Sequence, residues 1–376
     1  MVEIGGHAAP RFAAVKDAFA ANFEAGLELG ARFTLVEAGE TVVDLWAGHA
    51  DRGRSRPFDD ATLMPVFSTT KLVAALLVAR LVDAGRLAYG QPVADVWAEF
   101  AQAGKAAVTV EQALSHQAGL CGFAEPMSPE LWFDWNAICA KLAAMAPLWP
   151  PGSASGYHPI TFGYIAGEIF RRVDGRTMGR ALREDLGDPL GLEIWIGLPE
   201  SEDDRVAEIQ RPSALPEFGE HNEPTRLAFL TPWAGTNGRD VHQWRRAEIP
   251  SANGHATALA LARLTGALAD GGRIGQAQIL SPDTIAEAAR ERIRGQDLVL
   301  PFVMSWGAGW MRNEAERPWG PGLQTFGHSG WGGSCAFADP ARRLGGAYVM
   351  NRQGSALLGD ARPRRLIEAA YQALGA

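Results

Sequence analysis

Four lysines occur in the 376 residues, and one of them, Lys71, stands three positions after Ser68. The segment Pro65-Val66-Phe67-Ser68-Thr69-Thr70-Lys71 runs into an apolar stretch from Leu72 to Leu81. Leucines and valines there recur at helical spacing, and Gly85 closes the run. Residues three apart share a helix face, so the Lys71 amine can reach the Ser68 hydroxyl. A serine hydroxyl attacks a carbonyl only when a base takes its proton. A lysine in a dry site can lose its charge and serve as that base. A helix N-terminus also favours the negative charge that develops there. The plainer alternative makes Ser68 an N-cap and Lys71 a surface residue, although a lysine leading straight into an apolar helix is an odd surface choice.

Two further segments carry chemistry. Pro150-Pro151-Gly152-Ser153-Ala154-Ser155-Gly156-Tyr157-His158-Pro159 is a stiff loop that delivers Tyr157 just before a predicted helix. A phenol relays a proton when neighbouring cations lower its pKa; a buried structural tyrosine is the alternative. Phe326-Gly327-His328-Ser329-Gly330-Trp331-Gly332-Gly333-Ser334 leads into a predicted strand. Its small residues let a ligand lie against the backbone. His328 is expected to hold a polar or cationic group over the pocket; a plain glycine-rich hairpin is the alternative.

Taken in order, Ser68-x-x-Lys71, Tyr157 and His328-Ser329-Gly330 resemble the three motifs of the serine β-lactamase and penicillin-binding superfamily. The likeness is nearest to its class C β-lactamase branch and the family VIII carboxylesterases. It extends to the Leu114–Leu120 and Asp339-Pro340 turns. The resemblance implies an acyl-Ser68 intermediate, with Lys71 and Tyr157 sharing the acid–base work. It implies an oxyanion hole from the N–H groups of Ser68 and Trp331, with Trp331 on the strand. Substrate contacts fall to His328, Ser329, Gly330 and Trp331, and no cofactor or metal is implied. Two departures stand out. Pro159 replaces the asparagine usual in the second motif, and His328 replaces the lysine usual in the third. No lysine occurs after Lys141. The expected activity is therefore hydrolysis of short-acyl or aryl carboxylic esters, with weak or no β-lactam hydrolysis. β-Lactamase, amidase and acyltransferase activities use the same residues and stay open, as does a non-catalytic binding scaffold.

The elements that must position these residues divide into two kinds. Phe12, Val15, Phe19, Phe23 and Leu27 predict a first helix, and Arg32–Glu37 with Thr41–Trp46 predict a hairpin. Helices are expected over Leu72–Ala84, Glu130–Ala146, Phe162–Val173 and Ala256–Asp270. The stretch from Leu198 to Pro250 is polar and proline-rich, either an excursion or a lid. Strands are expected over Trp306–Arg312, Gln324–Gly327, Ser334–Ala338 and Leu344–Asn351, then a last helix over Arg362–Ala373. This pattern predicts an α+β fold, with an antiparallel sheet from both chain ends flanked by helices and a mostly helical inserted region. Residues 1–80 and 296–376 would form the α/β part, 81–295 the helical part, and the active site would lie between them. Leu131-Trp132-Phe133-Asp134-Trp135 and Leu148-Trp149 are candidates to wall an acyl pocket, with ordinary core packing as the alternative. His116, His158 and His255 read as hydrogen-bonded structural histidines.

Composition narrows the partners. Hydrophobic residues make up 47%, charged residues 21%, and the net charge is -8, which argues against nucleic-acid or anionic-membrane binding. The expected partner is a small-molecule ester. Cys121, Cys139 and Cys335 are few and far apart, as in a reducing compartment. The eight histidines form no ligand-spaced pair, and no phosphate loop is present. Gly327–Trp331 approaches the Gly-x-Ser-x-Gly of α/β-hydrolases but ends in Trp, and its strand follows rather than precedes it. The first residues show no basic-then-apolar leader, and no run is long and apolar enough to span a bilayer, so a cytoplasmic location is expected.

Overall fold

Strands from the two ends of the chain meet in one sheet. The computed structural model describes every residue except 1, 213, 215, 237–238, 314–316 and 376. The strands are β1 (Ile4–Ala8), β2 (Gly30–Glu37), β3 (Glu40–Gly48), β4 (Ile293–Gln296), β5 (Val303–Trp306), β6 (Met311–Arg312), β7 (Phe326–Ser329), β8 (Cys335–Asp339) and β9 (Leu344–Met350). They pair antiparallel in the order β1-β3-β2-β9-β8-β7-β6-β5-β4. The β2–β9 ladder joins the N-terminal hairpin to the C-terminal strands, from Leu344 opposite Glu37 to Met350 opposite Ala31. The hairpin turns at Ala38 and Gly39, both at positive φ, the conformation that matches the right-handed twist of the strands.

Side chains alternate across the sheet. Phe337 and Tyr348 face the cluster that holds α1 (Ala13–Glu24) and the C-terminal helix, Ala361–Ala373. Ala336, Ala338, Ala347 and Val349 face the other way, into the cluster with the helix Ala258–Ala269. That helix sits hard against the sheet because a Cβ on Gly345 would lie 2.0 Å from the Gly266 nitrogen. It comes from the stretch 81–295 and packs on the sheet, and β4 begins at Ile293.

Several predicted elements need correction. Trp306–Arg312 is not one strand: β5 and β6 form a hairpin that turns through Gly307–Trp310. β1 and β4 have no counterpart in the sequence reading, because one is glycine-rich and the other polar. The third motif pairs as Phe326–Ser329, two residues later than expected. The predicted helix at 130–146 is a 3-10 turn, Pro129–Phe133, and then a helix over Trp135–Ala144, with Asp134 capping between them. Among its described residues the excursion 198–250 holds short helical turns, and it brings Phe218 and Phe229 beside Trp331.

Candidate active site

The nucleophile candidate is set on a strained turn. Phe67–Thr69 is a single 3-10 turn that leads into α2, Thr70–Asp83. Phe67 has φ +48°, a left-handed conformation rare for a bulky residue. The Thr70 hydroxyl holds the turn by donating to the Phe67 carbonyl at 2.5 Å, and the Gly254 N–H donates back to it at 2.9 Å. Every residue from Thr70 to Ala79 is buried, which is why this helix reads as apolar all round rather than as a stripe.

Lys71 is buried completely, with its Nζ 3.2 Å from Ser68 Oγ. Its amine also donates to the carbonyls of Pro159 at 2.7 Å and Ser251 at 2.9 Å. Burial away from water holds its pKa well below the ordinary lysine value. A neutral amine has two N–H bonds and one lone pair. With both N–H bonds taken by carbonyls, the lone pair is left for the Ser68 hydroxyl. Pro159 stands where the family motif puts an amide, and its main-chain carbonyl serves Lys71 instead.

Tyr157 lies beside this pair. The Lys71 Nζ is 4.8 Å from its ring centre, and Ser68 is among the groups that act on its hydroxyl. The expectation that cations would lower its pKa is overturned: burial dominates and raises it, with the charge of Asp297 adding to the rise. Tyr157 is thus a phenol rather than a phenolate. Asp297 is a residue that motif reading missed. This buried carboxylate accepts from the N–H groups of Tyr157 at 2.9 Å and of Val299 and Leu300 at 3.0 Å, and from the Ser155 hydroxyl at 3.0 Å. It ties the tyrosine loop to the turn between β4 and β5. A lone Asp in an Asp-Leu-Val-Leu run carries no spacing signal that could have revealed it.

The third motif closes against the nucleophile turn. A Cβ on Gly330 would lie 2.3 Å from the Val66 carbonyl oxygen, so only glycine permits the approach. The Ser334 hydroxyl donates to that carbonyl at 2.9 Å and lies 3.2 Å from Thr69 Oγ1. Trp331 is not on the strand; it occupies the tight turn after β7, closed by the Gly333 N–H on the Gly330 carbonyl. Among the described residues neither the Ser68 nor the Trp331 N–H donates to a protein acceptor. Ser329 is partly exposed, and its carbonyl accepts from the His328 ring at 2.7 Å.

His328 departs from its predicted part. It is buried and neutral, with its pKa pushed down to about 3, chiefly by burial. No cation hangs over the pocket from this position. His116 and His158 are likewise held neutral, chiefly by burial. They brace the tyrosine loop: the His158 N–H donates to His116 Nδ1 at 3.1 Å, and the Leu120 N–H donates to His158 Nε2 at 2.9 Å. His255 is buried in a small sheet with Nδ1 2.9 Å from the Asn253 carbonyl.

The aromatic surroundings also differ from expectation. Trp331 neighbours Phe218 at 6.1 Å and Phe229 at 6.2 Å between ring centres, and Phe229 stacks with Tyr157 at 6.4 Å. The excursion thus supplies an aromatic wall that sequence reading did not name. Trp149 supports the loop instead: its ring leaves no room for a side chain at Gly156, and its indole donates to the Ala154 carbonyl. Trp132 and Trp135 line a cavity to which Ser68, Lys71 and Tyr157 do not contribute. The three cysteines are free and buried, and no helix among the described residues is long and apolar enough to cross a membrane.

Sheet, helices and cleft together define a member of the serine β-lactamase and penicillin-binding superfamily. The chain belongs to the β-lactamase family, whose model matches residues 19–371. It is 34% identical to the esterase/β-lactamase LipL of Mycobacterium tuberculosis over 94% of this chain and 84% of that protein. A penicillin-binding protein homolog from Caulobacter crescentus superimposes with TM-score 0.97 at 65% identity, over 99% of this chain and 100% of that one. A family VIII carboxylesterase superimposes with TM-score 0.93 at 46% identity, again over 99% and 100%. The chain is a hydrolase of the esterase and β-lactamase-like kind.

Proposed function

We propose that the protein is a carboxylesterase that works through an acyl-Ser68 intermediate. The observation that carries this reading is the Lys71 amine, dry, held by two carbonyls and 3.2 Å from Ser68 Oγ. Lys71 takes the Ser68 proton as Oγ attacks the ester carbonyl. The Ser68 and Trp331 N–H groups receive the oxyanion, each such donor contributing about 3 kcal/mol to the barrier. Tyr157 stays protonated and passes its proton to the departing alkoxide while Lys71 returns one to it. Water then repeats the attack on the acyl-Ser68 ester with the same bases.

The choice of esters over β-lactams rests on charge. A β-lactam antibiotic carries a carboxylate, and His328, buried and neutral, offers it no positive partner. A neutral ester needs none. The aromatic wall of Phe218, Phe229 and Trp331 suits a short acyl or aryl group. The likeness to an esterase/β-lactamase keeps slow β-lactam turnover as a second reading.

The test is turnover of p-nitrophenyl butyrate and the intact mass after fluorophosphonate treatment, for wild type beside Ser68→Ala. Turnover and a single adduct that both vanish in Ser68→Ala support the reading. A wild type that neither reacts nor turns over moves the binding scaffold ahead, and a mutant that still reacts means another serine is the nucleophile. Faster hydrolysis of a cephalosporin than of the ester would overturn the substrate choice.

A further inference from the structure

A cavity of about 280 Å³ lies on the far side of the helix Thr161–Asp174, and neither Ser68, Lys71, Tyr157 nor Trp331 lines it. Its walls include Trp132, Phe133, Trp135 and Tyr164. The polar atoms of three of these rings are engaged elsewhere. The Trp132 indole donates to the Trp233 carbonyl at 2.9 Å, the Trp135 indole to Glu168 at 2.8 Å, and the Tyr164 hydroxyl to the Trp132 carbonyl. What these side chains can offer a ligand is therefore ring carbon and the negative face of the π-system.

Two charged residues reach the same cavity, and they are not equivalent. Arg171 is already forked onto Glu168 by two bonds of 2.8 Å. Glu248 has neutral partners, the Thr177 hydroxyl at 2.7 Å and the Gly179 N–H at 2.8 Å. Among the described residues it forms no ion pair. It is also seated in space kept open for it, since a Cβ on Gly179 or Gly197 would come within 2.7 Å or 2.9 Å of its side chain. Its carboxyl is raised above the ordinary value by burial, as befits an anion that lacks a counter-charge.

We infer that this cavity is a second ligand site, and that its ligand is a small organic ammonium ion seated among the rings with its charge toward Glu248. Aromatic faces attract a cation by their quadrupole, and a partly dry carboxylate adds the directional partner. The volume suits a ligand of roughly benzylammonium size or somewhat larger. An anionic ligand would meet Glu248 unfavourably, and the Arg171 fork is already held by Glu168, which Arg172 also bonds.

The probe is benzylammonium, with benzyl alcohol as its uncharged counterpart, followed by calorimetry and by the tryptophan fluorescence that Trp132 and Trp135 should report. Wild type is expected to bind the cation saturably and the alcohol about tenfold more weakly. Glu248→Gln is expected to weaken the cation about tenfold and leave the alcohol unchanged; Trp135→Ala is expected to weaken both. Trp331→Ala, in the catalytic cleft, should change neither. Equal binding of cation and alcohol by wild type would overturn the inference without any variant. So would cation binding untouched by a folded Glu248→Gln, or cation binding lost in Trp331→Ala.

Discussion

Two lysines are fully buried in this protein, and their surroundings set them apart. Lys105 donates to three main-chain carbonyls, those of Gln102 at 2.8 Å, Ala143 at 3.0 Å and Met145 at 2.5 Å. Three acceptors suit an ammonium with three N–H bonds, so this lysine pins the end of the helix Trp135–Ala144 to the turn before Thr109. Lys71 has two carbonyls and a hydroxyl. Burial lowers both pKa values, but only at Lys71 is the third partner a group that can give up a proton. In the proposed mechanism, that one acceptor fewer is what lets Lys71 serve as a base.

The largest test of that contrast is Lys71→Met. Ester turnover is expected to fall by about 10³–10⁴-fold with the fold retained, as checked by circular dichroism and steady-state kinetics. Activity within tenfold of wild type would place the base elsewhere. Tyr157→Phe comes next. It removes the phenol proposed to pass a proton to the leaving group, so kcat should drop by about 10²–10³-fold with KM little changed.

Lys105→Met should do the opposite. Three carbonyls lose their donor at a buried position, so unfolding free energy should fall by about 2–4 kcal/mol in urea titrations, with kcat held within about threefold. A large loss of kcat without a loss of stability would erase the distinction between the two lysines.

The subtlest prediction concerns pH. Lys71 has to be neutral to act, so kcat/KM should fall as pH drops through its pKa, which lies well below 10.5. His328 and His158, held at about 3, stay neutral throughout the working range. The acid limb should therefore move by less than about 0.3 unit in His328→Gln. A larger displacement would make His328, not Lys71, the group that titrates.

Motif spacing carried the three residues that meet at the cleft, because Ser68 and Lys71 are neighbours on one helical turn and Tyr157 is presented by a stiff loop. Spacing could not reach Asp297, Phe218 or Phe229, which arrive from chain segments 60 or more residues away from Tyr157. Nor could it tell Trp149, which props the tyrosine loop, from Trp132 and Trp135, which face a different cavity. An aromatic residue looks the same in sequence wherever its ring is packed.

The amino-acid sequence by itself determined the class of fold, through β-character at both ends and apolar helices between, and it determined which serine and lysine lie together. Charge state belonged to the tertiary structure. His328 looks like a cation in a glycine-rich loop and is neutral because β7 buries it. Tyr157 looks ready to ionise and is held as a phenol because the site is dry. Lys71 is held dry by two carbonyls, from Pro159 and Ser251, that converge on it from positions 92 residues apart. Desolvation depends on everything packed around a group, and no local pattern of residues encodes that.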